Sequence, residues 1–143
     1  MKILKTTLVK KKTILVADNS PSITSLFKFV LSHNNYNVIT LSSKQLFLSF
    51  IKKNKDIDKD INLILLDLAL LETTTGNAKE TLCKLQKKHP TLKIIILAGD
   101  KLNTIIDNTI LLNTHGIVFK PFDIEDVLKI IKEVTENKTG LPI

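Results

Sequence analysis

With 143 residues, the chain is long enough for one domain with a buried core, and its hydrophobic fraction of 43% is typical of globular proteins. No apolar stretch approaches the roughly 20 residues that cross a bilayer, so membrane spans are not expected. The single cysteine, Cys83, precludes an internal disulfide and favours a reducing cytoplasm. The net charge of +7 comes from 21 lysines without any arginine, and because arginine is preferred for bidentate contacts with bases and phosphates, direct nucleic-acid binding is not expected.

Short apolar segments alternate with amphipathic ones along the first half of the chain. The predicted elements are an N-terminal arm at 1–12, a strand at 13–17, a helix from 21 to about 33, a strand at 37–41, a helix at 43–54 and a charged turn at 55–60. The start of the first helix is marked twice, because Ser20 is a favourable N-cap and Pro21 suits the first helical position.

The alternation continues through the second half. The predicted elements are a strand at 61–66, a helix that stops before His89, a strand at 93–97, a helix carrying Leu102, Ile105, Ile106 and Ile110, a strand at 117–119, a helix at 124–135 and a tail at 138–143. Nearly continuous apolar strands suit a sheet covered on both faces, and their alternation with helices favours a parallel sheet with right-handed crossovers. We therefore predict one α/β domain at 13–137, built as a three-layer α/β/α sandwich.

Three of the apolar strands end in a charged residue. Asp67 closes the run at 63–66, Asp18 follows the run at 14–17, and Lys120 follows Phe119. In a parallel sheet these three ends share one edge, which is where open α/β sheets bind ligands.

At this point the chain resembles the receiver domains of bacterial two-component response regulators, including the single-domain CheY-like type. The segments that carry the resemblance are ILVADNSP at 14–21, LILLDL at 63–68, IIILAG at 94–99 and GIVFKPF at 116–122. They occur in the family order and at about the family spacing, and the resemblance spans roughly residues 12–134. It implies a flavodoxin-like sheet with strand order 2-1-3-4-5.

The resemblance also implies a function. Asp67 would accept a phosphoryl group from a histidine kinase or phosphotransfer protein, and Lys120 would pair with Asp67 and later with the phosphate. Mg²⁺ would be held by Asp18, Asn19, Asp67 and the backbone carbonyl of Ala69. The chain would signal by binding a downstream protein, and a homodimer of the chain is a further possible assembly. Its own chemistry would be limited to self-phosphorylation and slow autodephosphorylation, so it would not be an enzyme in the usual sense.

Several positions depart from the family pattern. Asn19 stands where the family usually has a second acid, so we expect Mg²⁺ binding that is about 10- to 100-fold weaker. Ala98 replaces a Thr or Ser whose hydroxyl bonds the phosphate, and Ile117 replaces an aromatic residue coupled to that hydroxyl. We therefore expect Asp67 to be phosphorylated with little change of conformation. By the same resemblance, the Lys120–Pro121 peptide is expected to be cis.

Other functions remain open. A receiver-like interaction module would keep the fold without a phosphorylation cycle. A flavodoxin-like redox protein would need a glycine-containing phosphate loop after the first strand, and 18–22 contains no glycine. A phosphatase of the haloacid dehalogenase type would need an acid two residues after the nucleophile, where this chain has Ala69.

The remaining chemically distinctive side chains are expected to be structural. Cys83 and the phenylalanines are predicted to be core residues, and the histidines are predicted to be solvated or capping. The phenylalanines are Phe27, Phe29, Phe47, Phe50, Phe119 and Phe122, and the histidines are His33, His89 and His115.

Overall fold

Five parallel strands form the sheet in a computed structural model that describes residues 10–71, 78–99 and 113–136. The strands are β1 (Lys12–Ala17), β2 (Tyr36–Leu41), β3 (Leu63–Asp67), β4 (Lys93–Ala98) and β5 (Gly116–Phe119). Their order is β2-β1-β3-β4-β5, which confirms the predicted CheY-like, flavodoxin-like topology. All four neighbouring pairs are parallel, so the carboxyl ends of the strands meet at one edge.

Five α-helices and one 3₁₀ turn accompany the strands within the described residues. They are α1 (Pro21–Ser32), α2 (Lys44–Lys53), α3 (Ile57–Asp60), the 3₁₀ turn (Leu68–Leu71), α4 (Ala78–Lys88) and α5 (Ile124–Glu136). The helix predicted around 102–110 lies outside the described residues. The predicted charged turn contains the short helix α3, because Ile57 is buried there and its carbonyl accepts a hydrogen bond from the Ile61 amide at 2.8 Å.

Side-chain caps fix where two of the helices begin. Ser20 accepts a hydrogen bond from the Ile23 amide, with Pro21 at the start of α1 as predicted. Ser43 accepts one from the Leu46 amide at 3.1 Å, so α2 begins one residue later than the predicted element. These bonds satisfy amides that have no partner inside the helix.

The sheet is covered on both faces, which produces the three predicted layers. One face packs against α1 and α5 through Phe27, Leu31, Val127 and Ile131. The other face packs against α2, α3 and α4 through Phe47, Ile57, Leu82 and Leu85. Every residue of the central strand β3 is buried, as expected for a strand between two helical layers. No helix in the described residues is long and apolar enough to cross a membrane.

Three side chains differ from their predicted environments. Phe29, predicted to be in the core, is 65% exposed because it lies outside the buried stripe of α1, and its ring contacts His33. His89, predicted to be solvated or capping, is fully buried after α4, with its Nδ1 atom 3.5 Å from Asp58 Oδ1. Cys83, predicted to be buried, is only half-buried.

His115 is exposed, in agreement with the prediction of a solvated or capping histidine, and it joins the loop before β5 to β4. Its amide donates to the Ile94 carbonyl at 2.7 Å, and its Nδ1 accepts a hydrogen bond from the Ile94 amide at 3.1 Å. Partial burial lowers the pKa of the His115 ring, and the charge of Lys93 lowers it further. The neutral ring is therefore the form that this connection requires.

Candidate functional site

The three charged residues predicted to share an edge are brought together there. Ala17 on β1 lies beside Leu66 on β3, so Asp18 and Asp67 come next to each other at the carboxyl ends of neighbouring strands. Lys120 follows β5, and its amide donates to the carbonyl of Ala98 at the end of β4, at 2.9 Å. Hydrogen bonding between β4 and β5 therefore holds the backbone of the lysine at this edge.

The lysine ammonium reaches both carboxylates, but at different distances. Lys120 Nζ lies 2.6 Å from Asp18 Oδ2 and 3.7 Å from Asp67 Oδ2. The side chain of Asp18 is 1% exposed, that of Asp67 13% and that of Lys120 27%, so water reaches Asp67 more easily than Asp18. The expected pairing of Lys120 with Asp67 is thus a longer ion pair, and the direct hydrogen bond goes to Asp18.

Backbone amides orient both carboxylates. The Ser20 amide donates to Asp18 Oδ1 at 2.9 Å, and the Ala69 amide donates to Asp67 Oδ1 at 3.2 Å. Each aspartate thus bonds the amide two residues after itself through one oxygen and faces Lys120 through the other. Sequence reasoning missed these two amides, although an aspartate at the end of a strand commonly makes this turn.

The carboxylates at this edge of the sheet are suited to Mg²⁺, although Lys120 offsets part of their negative charge. Asp18 and Asp67 supply two carboxylates, and sites for this ion use one or two of them and keep several waters. The other two predicted ligands, Asn19 and Ala69, each lie one or two residues after an aspartate and are exposed. No cluster of three His, Cys, Asp or Glu able to hold a metal occurs among the described residues. Two carboxylates are chemically suited to Mg²⁺, and the Lys120 ammonium lies beside both of them.

The two positions that depart from the expected switch pattern lie in the sheet beside this edge. Ala98 is fully buried at the end of β4, where its methyl group offers no hydrogen bond. Ile117 is half-buried on β5 and packs towards the α2 and α4 face.

Beyond Lys120, an aromatic contact connects the edge to α1. The Lys120–Pro121 peptide is cis, as predicted. The Phe122 ring, which follows it, stacks on the buried ring of Phe27 in α1, with the two ring centres 5.4 Å apart. The loop after β5 is thus attached to a helix that begins close to Asp18.

The chain is similar to known receiver proteins over most of its length. The model of the response regulator receiver domain matches residues 14–132. No curated protein matches the chain.

Solved structures share the fold. A response regulator receiver domain protein from Clostridium thermocellum is 24% identical, with a TM-score of 0.69 over 90% of this chain and 97% of that one. A CheY-like receiver domain protein from Methanospirillum hungatei is 23% identical, with a TM-score of 0.69 over 89% and 95%. The response regulator TrrA from Thermotoga maritima, in complex with Mg²⁺-BeF, is 25% identical, with a TM-score of 0.65 over 86% and 98%.

Proposed function

The chain belongs to the response regulator receiver domain family, and on that premise we propose that it accepts a phosphoryl group on Asp67 and signals by binding another protein. Receiver domains are signalling domains rather than conventional enzymes. The donor is a histidine kinase or phosphotransfer protein, and the response is carried by contact with a downstream protein. In this proposal residues 13–137 form the receiver, flanked by an arm at 1–12 and a tail at 138–143, and the protein works in the cytoplasm.

The observation that carries the proposal is the position of the Lys120 ammonium between two carboxylates. Asp67 is the more exposed of the two acids and is hydrogen-bonded to a backbone amide, so its second oxygen is held facing the rim. The bond between phosphorus and the donor nitrogen breaks as one between phosphorus and the Asp67 oxygen forms, and the donor imidazole leaves. Lys120, 3.7 Å from that oxygen, offsets the negative charge that the phosphoryl oxygens bring.

Receiver domains generally bind Mg²⁺ at the phosphorylation site, and here Asp18, Asn19, Asp67 and the carbonyl of Ala69 would hold it. When bound, the ion neutralises part of the charge on the incoming phosphoryl oxygens. Asp18 keeps one oxygen on the Ser20 amide and shares the other with Lys120, so binding the metal requires Lys120 to give up part of its contact. This competition supports a low affinity for Mg²⁺.

Mass spectrometry after incubation with Mg²⁺ and acetyl phosphate tests the proposal. We expect the mass of one phosphoryl group to be added, with the label on the peptide that contains Asp67. Asp67→Asn should abolish the label, whereas Asp123→Asn should keep it, because Asp123 is exposed and its cap on the Glu125 amide survives the change. A label that persists in Asp67→Asn contradicts the assignment of Asp67 as the phosphorylated residue. If no phosphoryl donor labels the protein, the alternative function holds, in which the receiver binds partners without phosphorylation.

A further inference from the structure

An open cavity of about 800 Å³ lies at the edge of the sheet opposite Asp67. It is bounded by residues 10–12, at the start of β1, by residues 34–36, where α1 turns into β2, and by one face of α5. Because β1 and β2 begin there and the charged triad lies where the strands end, this cavity is separate from the candidate phosphorylation site. Its volume falls within the range of about 300–1,000 Å³ that is common for small-molecule sites.

The lining of this cavity is strongly basic. It contains five lysines and two glutamates, Glu125 and Glu136, which gives a net charge of +3. The lysines are Lys10, Lys11, Lys12, Lys129 and Lys132. Grouping cations around one concave surface raises its positive potential, because low-dielectric walls concentrate the field inside a cleft.

None of the five lysines forms a salt bridge within the described residues. Lys12 has a structural role, because its Nζ donates to the carbonyl of Thr135 near the end of α5, where a cation is favourable. The other four, Lys10, Lys11, Lys129 and Lys132, remain available to a ligand. The two glutamates of the lining leave an excess of three positive charges, which a bound anion would offset.

The cavity also offers less polar surface beside these cations. Tyr36 and Leu128 are half-buried in its lining and provide an aromatic ring and an aliphatic side chain. Asn35, in the left-handed conformation with φ of 67°, turns the chain just before Tyr36. A ligand that combines several negative charges with a planar organic group would contact both kinds of surface.

The chain's own flanking segments are poor candidates for this cavity. Residues 1–9 contain Lys2 and Lys5 without any acidic side chain, and residues 137–143 contain Lys138 without any acidic side chain. Neither segment has an acidic side chain that would complement the positive lining, whereas an external anion would. The concave shape and the volume of the cavity suit a compact phosphate ligand better than a nucleic-acid duplex.

We propose that this cavity binds a small organic polyphosphate, of which a nucleoside triphosphate is the representative. Its phosphates lie among Lys10, Lys11, Lys129 and Lys132, and its organic group rests against Tyr36 and Leu128. Bound at the edge of the sheet opposite Asp67, such a ligand gives the domain a second input in addition to phosphorylation.

Calorimetric and amide-shift titrations of the intact chain, without Mg²⁺, test this proposal. The probes are adenosine triphosphate, inorganic triphosphate, inorganic phosphate and adenosine. We expect the nucleotide to bind most tightly, inorganic triphosphate less tightly, inorganic phosphate weakest and adenosine not at all, with shifts at 34–36 and along α5. Inorganic triphosphate that binds as well as the nucleotide overturns the role of Tyr36 and Leu128. Shifts centred on Asp67 overturn the location.

Matched double variants separate a defined site from general charge. Lys129→Gln with Lys132→Gln removes two exposed lysines of the cavity, whereas Lys87→Gln with Lys88→Gln removes two exposed lysines at the end of α4. We expect the first pair to weaken nucleotide binding about tenfold or more, because charge-assisted hydrogen bonds are lost, and the second pair to leave it nearly unchanged. Equal losses in both pairs, or tighter binding of a DNA duplex than of the nucleotide, would overturn the proposal.

Discussion

Replacing Asn19 by aspartate should convert a weak magnesium site into a stronger one. Asp18, Asp67 and Lys120 together carry a net charge of −1, and the Asn19→Asp change makes it −2. Unit charges 4 Å apart interact by about 4 kcal/mol near a protein surface. Position 19 is exposed and the Asn19 side-chain amide already offers an oxygen, so only part of this energy is gained. We expect a gain of about 1.4–2.7 kcal/mol, which is about a 10- to 100-fold higher affinity.

Calorimetric titration of Mg²⁺ into the two proteins measures this gain directly, and the shift of the unfolding midpoint with Mg²⁺ concentration measures it independently. Asn37→Asp is the control, because it adds the same charge at an exposed position near the start of β2, at the opposite edge of the sheet. We expect the control to match the parent protein. Equal affinities for the parent and Asn19→Asp would refute the reasoning, since residue 19 would then not be a ligand.

Three further changes test other parts of the structure. Lys120→Met leaves the buried Asp18 without its cation, so the metal-free variant should lose about 2 kcal/mol of stability. The same variant should bind Mg²⁺ more tightly in calorimetry, and an unchanged affinity would show that the lysine does not compete with the metal. The pKa of His115 is lowered in the fold, so its contribution to the free energy of unfolding should be complete above the unfolded pKa near 6.5 and should fall as the pH drops through the folded pKa. His115→Asn keeps an acceptor for the Ile94 amide and should flatten this pH dependence in denaturant titrations. An unchanged pH dependence in the variant would contradict the prediction. Ser43→Ala should cost about 1 kcal/mol in thermal unfolding through loss of the α2 cap, and a change near zero would mean that water replaces the bond.

The fold was predictable because its signals are local and agree with one another. The apolar runs predicted the strands, and the Ser20–Pro21 pair predicted the start of α1. The boundaries of β3 were less accurate, because Ile61 is buried like a strand residue but belongs to the turn after α3, where its amide bonds the Ile57 carbonyl. Phe29 was misplaced because the periodicity of α1 does not decide which of several neighbouring apolar residues faces the sheet.

The meeting of Asp18, Asp67 and Lys120 was predictable for a different reason. The topology of a parallel sheet brings strand ends together whatever their separation in the sequence. The topology does not determine which acid receives the lysine. That choice depends on two short turns, in which the amides of Ser20 and Ala69 each hold one carboxylate oxygen and leave the other facing the ammonium. The basic cavity was equally hidden, because its lysines come from both ends of the domain.

The last prediction concerns how phosphorylation of Asp67 is communicated. A ligand shifts a conformational equilibrium only through contacts that differ between the two states. Ala98 offers no hydroxyl to the phosphate, and Ile117 has no ring that could exchange between exposed and buried positions. Lys120, by contrast, is hydrogen-bonded to Asp18 and lies 3.7 Å from Asp67, so a phosphoryl group on Asp67 should draw the ammonium away from Asp18.

The loop that carries Lys120 is attached to α1 by the stacking of Phe122 on Phe27, so the change should be transmitted towards α1 rather than through β4 and β5. Adding beryllofluoride with Mg²⁺ should therefore shift amides around residues 18–27 and 120–123 and leave β5 nearly unchanged. Phe122→Leu should reduce the shifts in α1 while keeping those at Asp67, and Phe50→Leu, on the opposite face of the sheet, is the control. Large shifts through 100–112 and β5 would show that the domain switches by the route that Ala98 and Ile117 were expected to close.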